Sequence, residues 1–160
     1  MPRPIIYPDF SMVETSINDA LHLLYRNDHF LIINSTSERS ITHKLAEYIQ
    51  QLFPQWHVDC EYNRLGLGFP KNLPDQHTSY PDIIIHKRNT KTNLLVIEAK
   101  SIHSADRSDT HDKEKIKAYI EDPEYQYRFG LWLCFYDEFP RLVMDWFENR
   151  DRQCLKVNHE

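Results

Sequence analysis

Glycine is nearly missing from this chain, with three in 160 residues, and positive charge is outnumbered, 19 Lys and Arg against 24 Asp and Glu. Cysteine is equally scarce: Cys60, Cys134 and Cys154 are widely separated, odd in number and never arranged as CxxC. That pattern excludes a disulfide framework and a cysteine zinc site, and makes a reducing cytoplasm the simplest compartment to expect. The nine histidines form no HxxxH, HExxH or mixed Cys/His cluster, which argues against zinc altogether. No apolar run approaches the roughly 18 residues of a membrane-spanning helix, and mean hydropathy is −0.64. The opening segment Met1–Pro8 has no apolar stretch of signal-peptide length. Repeats, heptads and low-complexity tracts are also missing. What remains is a soluble globular chain of one domain, able to bury roughly 70% of its unfolded surface without staples. A net charge of −5 and a pI near 6.0 speak against a nucleic-acid partner for as long as the charge is taken as uniform.

Periodicity then orders the chain. The first residues read as an extended arm, and Val13, Ile17, Ala20, Leu21 and Leu24 follow at helical spacing. Phe30–Asn34 is short, apolar and partly β-branched, which predicts a brief strand or buried connector. Ser35-x-x-Glu38 fits a capping box for a helix whose stripe is Ile41, Leu45, Ile49 and Leu52, ending near Pro54. Trp56, Val58, Cys60 and Tyr62 then alternate with polar residues, as on a half-buried strand. Gly66, Gly68 and prolines 70, 74 and 81 mark residues 64–80 as one long loop. Two apolar runs, Pro81–His86 and Leu94–Lys100, flank a polar turn and suit a hairpin. A charged helix from about Asp112 to Glu121 precedes a buried strand, Gly130–Tyr136, and Leu142–Phe147 is left as a last strand or a short helix. The expected fold class is α/β: helix, three strands, helix and strand around a small mixed sheet, with an N-terminal helical addition. Residues 1–35 form the extension, 36–136 the core and 137–160 a C-terminal element.

Charge interrupts the two apolar strands. Asp82 opens the first directly after Pro81; Glu98 and Lys100, two apart in the second, leave the same strand face. Buried charges are costly unless paired or bound to metal. One solution is structural, with Glu98 and Lys100 pairing at an edge and Asp82 capping a turn. The other is metal-assisted phosphodiester hydrolysis. Asp82, Glu98 and the Ala99 backbone carbonyl supply hard oxygens suited to Mg²⁺, with Mn²⁺ as a substitute. Lys100 then stands where it would orient or help deprotonate a water and hold a phosphate oxygen.

Pro81-Asp82 followed by Glu98-Ala99-Lys100, each at the end of a strand, resembles the PD-(D/E)xK nuclease superfamily with its restriction-endonuclease-like fold, over roughly residues 36–136. The resemblance implies a divalent-metal nuclease acting on DNA, less often RNA, with Asp82, Glu98 and Lys100 catalytic and a homodimer as one way to cut both strands. It also implies an acidic contribution from the first core helix. Glu38 lies three residues before Ile41, about 60° from the core stripe, whereas Glu47 falls about 900° further round, on the opposite face. Glu38 is therefore the expected fourth catalytic residue, its alternative role being the capping box. Arg64, Lys115 and Glu61 are expected near substrate, although Lys115 and Glu61 also suit a solvated helix face and a polar strand face. His103 and His111 read as loop histidines, and the aromatic stretch from Tyr125 to Tyr136 reads as core. Arg64, Lys71, Lys87, Arg88 and Lys91 fall in loops expected to border the cleft, so the local field there is expected to be positive despite the acidic total.

Overall fold

A computed structural model gives the fold and describes residues 3–34, 37–62, 69–70, 73, 80–103, 109–139 and 141–159. Helix α1 (Phe10–Ile33) and helix α2 (Glu38–Leu52) come first. They are followed by strands β1 (His57–Cys60), β2 (Ile83–His86) and β3 (Asn93–Ser101), helix α3 (Thr110–Glu121), and strands β4 (Phe129–Phe135), β5 (Leu142–Arg150) and β6 (Gln153–Lys156). The six strands form one mixed sheet in the order β1-β2-β3-β4-β5-β6. Every neighbouring pair is antiparallel except β3 and β4. A parallel pair cannot be joined by a tight turn, so the chain crosses over between these strands, and α3 is that crossover.

Alternation along the central strands assigns each face to its helices. Ile83, Ile85, Leu95, Ile97, Leu131, Leu133 and Phe135 share a core with the stripes of α1 and α2. Ile84, Val96, Trp132 and Cys134 point the other way, onto Ile116, Tyr119 and Ile120 of α3. With both faces covered, β3 and β4 lose the polar alternation of a surface strand and read as continuous apolar runs. Gly130 explains how closely α3 approaches: a Cβ there would lie 2.4 Å from Ile116 Cγ2 and 3.0 Å from Ile120 Cδ1. The N-terminal helix is part of this packing. Tyr25 donates to the Tyr136 carbonyl at 2.6 Å, and Phe10 meets Trp146 edge to face.

Four expectations change. Phe30–Asn34 is no strand; α1 runs through it to Ile33, past a kink at Asp28 (φ −128°), and Ile32 fills the core. A five-residue apolar run carries no period long enough to separate the two states. The cap of α2 is Ser37, whose hydroxyl accepts from the Ser40 amide, so Glu38 is the first residue of the helix rather than its third; Ser35 lies outside the described residues. The alternation of β1 stops at Glu61, which takes a positive φ of 45° and turns Tyr62 to the α3 side of the sheet while Val58 packs on the α2 side. The sheet is also larger than expected. Leu142–Phe147 belongs to a strand, and β6 follows through Asp151 and Arg152, both at positive φ as a tight hairpin turn requires. That pair lacks the Asn-Gly or Asp-Gly signature by which such turns are recognised. No helix is long and apolar enough to cross a membrane among the described residues.

Candidate active site

The site forms where β2 begins and β3 ends. Antiparallel pairing sets Ile83 opposite Ile97, so Asp82 arrives beside Glu98. Asp82 has the parity of Ile84, and Glu98 and Lys100 that of Val96, so all three belong to the face covered by α3. The Asp82 carboxylate is fixed from the neighbouring strand, with Oδ2 accepting from the Ala99 amide at 2.9 Å. Glu98 is buried, 3% exposed.

Helix α3 completes the site. Lys115 Nζ lies 2.9 Å from Glu98 Oε1 and donates to the Tyr80 carbonyl at 2.6 Å. The approach to Glu98 combines charge with a hydrogen bond from the ammonium. One turn earlier on the helix, Asp112 Oδ2 stands 3.5 Å from Lys100 Nζ and accepts from Trp132 Nε1 at 3.3 Å. The glutamate and lysine of the strand thus meet a lysine and an aspartate of the helix. Lys115 is therefore at the site rather than on a solvated face. Asp112 is the residue that sequence reasoning did not assign. Its signal was available: the inward stripe Ile116, Tyr119 and Ile120, extended back at helical spacing, passes through Lys115 and Asp112.

Electrostatics follow from this crowding. Burial pushes the Asp82 carboxyl up, opposed by the Ala99 amide and the Lys115 charge. Burial first, and the Asp82 charge second, push Glu98 well above the ordinary carboxylate range, against the pull of Lys115. Two adjacent carboxyls that both resist ionisation form a pair that a cation stabilises in its charged state.

The remaining candidates lie as follows. Glu38 reaches the end of β3, where its Oε1 accepts from the Ser101 amide at 3.0 Å, next to Lys100 in the chain but from the α2 side of the sheet. Glu61 is held at Asp82 by its backbone, its amide donating to the Asp82 carbonyl, while its carboxylate pairs with exposed Arg39. Arg64 and Lys71 lie outside the described residues, as does most of the 64–80 loop. The cationic turn needs correcting. Lys87, Arg88 and Lys91 sit at the closed end of the β2–β3 hairpin, and Glu98 lies five positions along β3 from Asn93, about 17 Å of strand. There Arg88 pairs with Asp59, Lys91 with Glu124, and Lys87 lies over the Trp56 ring. A hairpin that brings its strand ends together must carry its turn to the far side. His103 pairs with Asp137 at 2.6 Å. Tyr125, Tyr127, Trp132 and Phe135 are buried in the core.

Among the described residues no group of three or more His, Cys, Asp or Glu side chains is placed to hold a metal ion. An ion here would rest on two carboxylates, a backbone carbonyl and water. Comparison with protein-family models, curated proteins and solved structures finds no match for the chain, so its own geometry carries the functional reading.

Proposed function

We propose that this chain is a divalent-metal-dependent nuclease of the PD-(D/E)xK type, hydrolysing phosphodiester bonds with DNA as substrate, in the cytoplasm. One observation carries the reading: Asp82 and Glu98, from adjacent strands, share a largely buried sheet face with Lys100, where burial pushes both carboxyls toward their neutral form. The order of α2, β1 to β3, α3 and β4 supports a restriction-endonuclease-like core, to which α1, β5 and β6 are additions.

The donor set suits Mg²⁺ or Mn²⁺. It consists of hard oxygens, and the buried Glu98 carboxylate already draws a cation, the Lys115 ammonium, at 2.9 Å. Asp82, Glu98 and the Ala99 carbonyl would hold the ion, which supplies Lewis acidity toward a phosphate oxygen and acidifies a bound water. Lys100 offers its ammonium to the phosphate or the attacking water, and Asp112 limits where that ammonium can go. Glu38 fixes the end of the strand that bears Lys100, through the Ser101 amide.

A second reading has its own support. Glu98 and Lys100 are each already paired to α3, which is also what a noncatalytic nucleic-acid-binding or protein-interaction module on the same fold would retain as a structural charge cluster. Incubation with single-stranded, duplex and branched DNA and with RNA, in Mg²⁺ and in Mn²⁺, decides between them. The nuclease reading expects cleavage that EDTA and Lys100→Ala both abolish. Retained nucleic acid that stays intact in both metals supports the noncatalytic module instead.

A further inference from the structure

Lys115 is as buried as the apolar core, at 5% exposure, on a helix whose other lysines, Lys113 and Lys117, reach solvent. Lysine is seldom found inside unless its charge is answered. Here the ammonium contacts both halves of the motif: the carbonyl of Tyr80, directly before Pro81-Asp82, and the carboxylate of Glu98. The two contacts differ in what they engage. Tyr80 offers a neutral carbonyl, whereas Glu98 Oε1, 2.9 Å from the ammonium, is a carboxylate oxygen of the kind a divalent cation binds. A divalent ion on that carboxylate competes with the ammonium for the same oxygen.

We infer that Lys115 occupies the place of the divalent ion on Glu98 and is exchanged for it. With Lys115 on Glu98, one positive charge faces the two carboxyls; when the ion takes Glu98, that ammonium leaves the carboxylate and is available to a phosphate oxygen. The inference rests on the nuclease reading and adds to it a determinant of metal affinity on α3. Lys115 thereby sets how much ion is needed, independently of whether the chain cuts.

The test is calorimetric titration of the whole chain with Mn²⁺, for the wild type, Lys115→Met and Lys115→Gln. Glutamine keeps a donor for the Tyr80 carbonyl, so it serves if methionine prevents folding. Removing the competing charge is expected to tighten Mn²⁺ binding about tenfold, within the usual range of a single coupling. Mn²⁺ is also expected to raise the melting temperature of the variants more than that of the wild type. Unchanged or weaker Mn²⁺ affinity in a folded variant overturns the exchange. If the wild type binds Mn²⁺ and cuts while the variants bind no tighter, only the exchange falls. If no form binds Mn²⁺ and the wild type cuts nothing, the nuclease reading falls with it.

Discussion

Lys100 on β3 and Asp112 on α3 face each other at 3.5 Å, both largely shielded from solvent, and the same Asp112 oxygen receives the indole N–H of Trp132. The lysine of the motif is thus positioned by a helix that the motif does not include. On the nuclease reading, Asp112→Asn keeps an acceptor for Trp132 but removes the charge that positions Lys100. The expected result is a fall in kcat of about tenfold or more with KM little changed, since such a contact acts on the reacting geometry rather than on ground-state binding. Equal loss in Lys100→Ala and in the double variant, measured by steady-state cleavage, would show the two acting as a unit.

Asp82 and Glu98 make stability depend on pH with a definite sign. Both carboxyls are raised, by burial first, so the folded chain holds protons that the unfolded chain releases. Their contribution is most favourable at or below the ordinary carboxylate range and is lost as pH rises from there through the raised folded values. Asp82→Asn relieves the repulsion while keeping an acceptor for the Ala99 amide. It is expected to raise stability at neutral pH by about 1 kcal/mol and to flatten this part of the pH profile, at the expense of cleavage. Thermal denaturation from acid to neutral pH measures it; a variant less stable than wild type at neutral pH counts against the pair being strained.

Asp59 behaves in the opposite sense. Burial raises its carboxyl, but the Arg88 and His86 hydrogen bonds outweigh burial and hold it below the ordinary range. The stability it contributes is present above the ordinary range and is lost as pH falls through its lowered folded value. Arg88→Ala should therefore destabilise by roughly 1 kcal/mol at neutral pH, with the gap to wild type closing in strong acid. A constant gap across pH would sink this assignment.

The same turn lies on the far side of the hairpin from the site. On the nuclease reading, replacing Lys87, Arg88 and Lys91 with serine should leave nucleic-acid affinity within about twofold and its salt dependence unaltered, because cations that contact no phosphate release no counterions on binding. A slope of log affinity against log salt that becomes clearly shallower would place substrate on this turn after all.

Gly130→Ala should cost about 2 kcal/mol, since the methyl would enter the space of the branched Ile116 and not that of a flexible chain end. Denaturant titration measures the loss. Because α3 would have to shift, Mn²⁺ binding is expected to change alongside stability.

Much of this was legible in the residues, for reasons that can be named. Asp82, Glu98 and Lys100 stood out because charge inside an apolar strand is rare, and strand parity placed the latter two on one face. Helix rotation turned Glu38 rather than Glu47 toward the sheet, but not to the face of Asp82: Glu38 reaches the Ser101 amide from the α2 side, while Glu47 pairs with exposed Lys44. Asp112 escaped because a charged helix reads as solvated until its inward stripe is followed to its first turn. The positive turn of Lys87, Arg88 and Lys91 was misplaced because sequence shows which residues are near a motif in the chain but not which end of a hairpin they occupy. The tight turn before β6 was missed because Asp-Arg is an uncommon pair for positive φ, held here by the hydrogen bond from the Arg152 amide to the Asn149 side chain.

The strand order also bears on folding. Because the sheet follows chain order, each pairing joins sequence neighbours, and the antiparallel ones can form by zipping from a connection on one side. Only β3 and β4 must wait for a helix to cross over, the more expensive closure in chain entropy. Lys115 and Asp112 ride on that helix and Trp132 on the strand it delivers. The step that joins the two halves of the sheet is therefore the step that brings these three residues to Glu98 and Lys100. A nascent chain holding β1, β2 and β3 alone would carry the whole motif but no site.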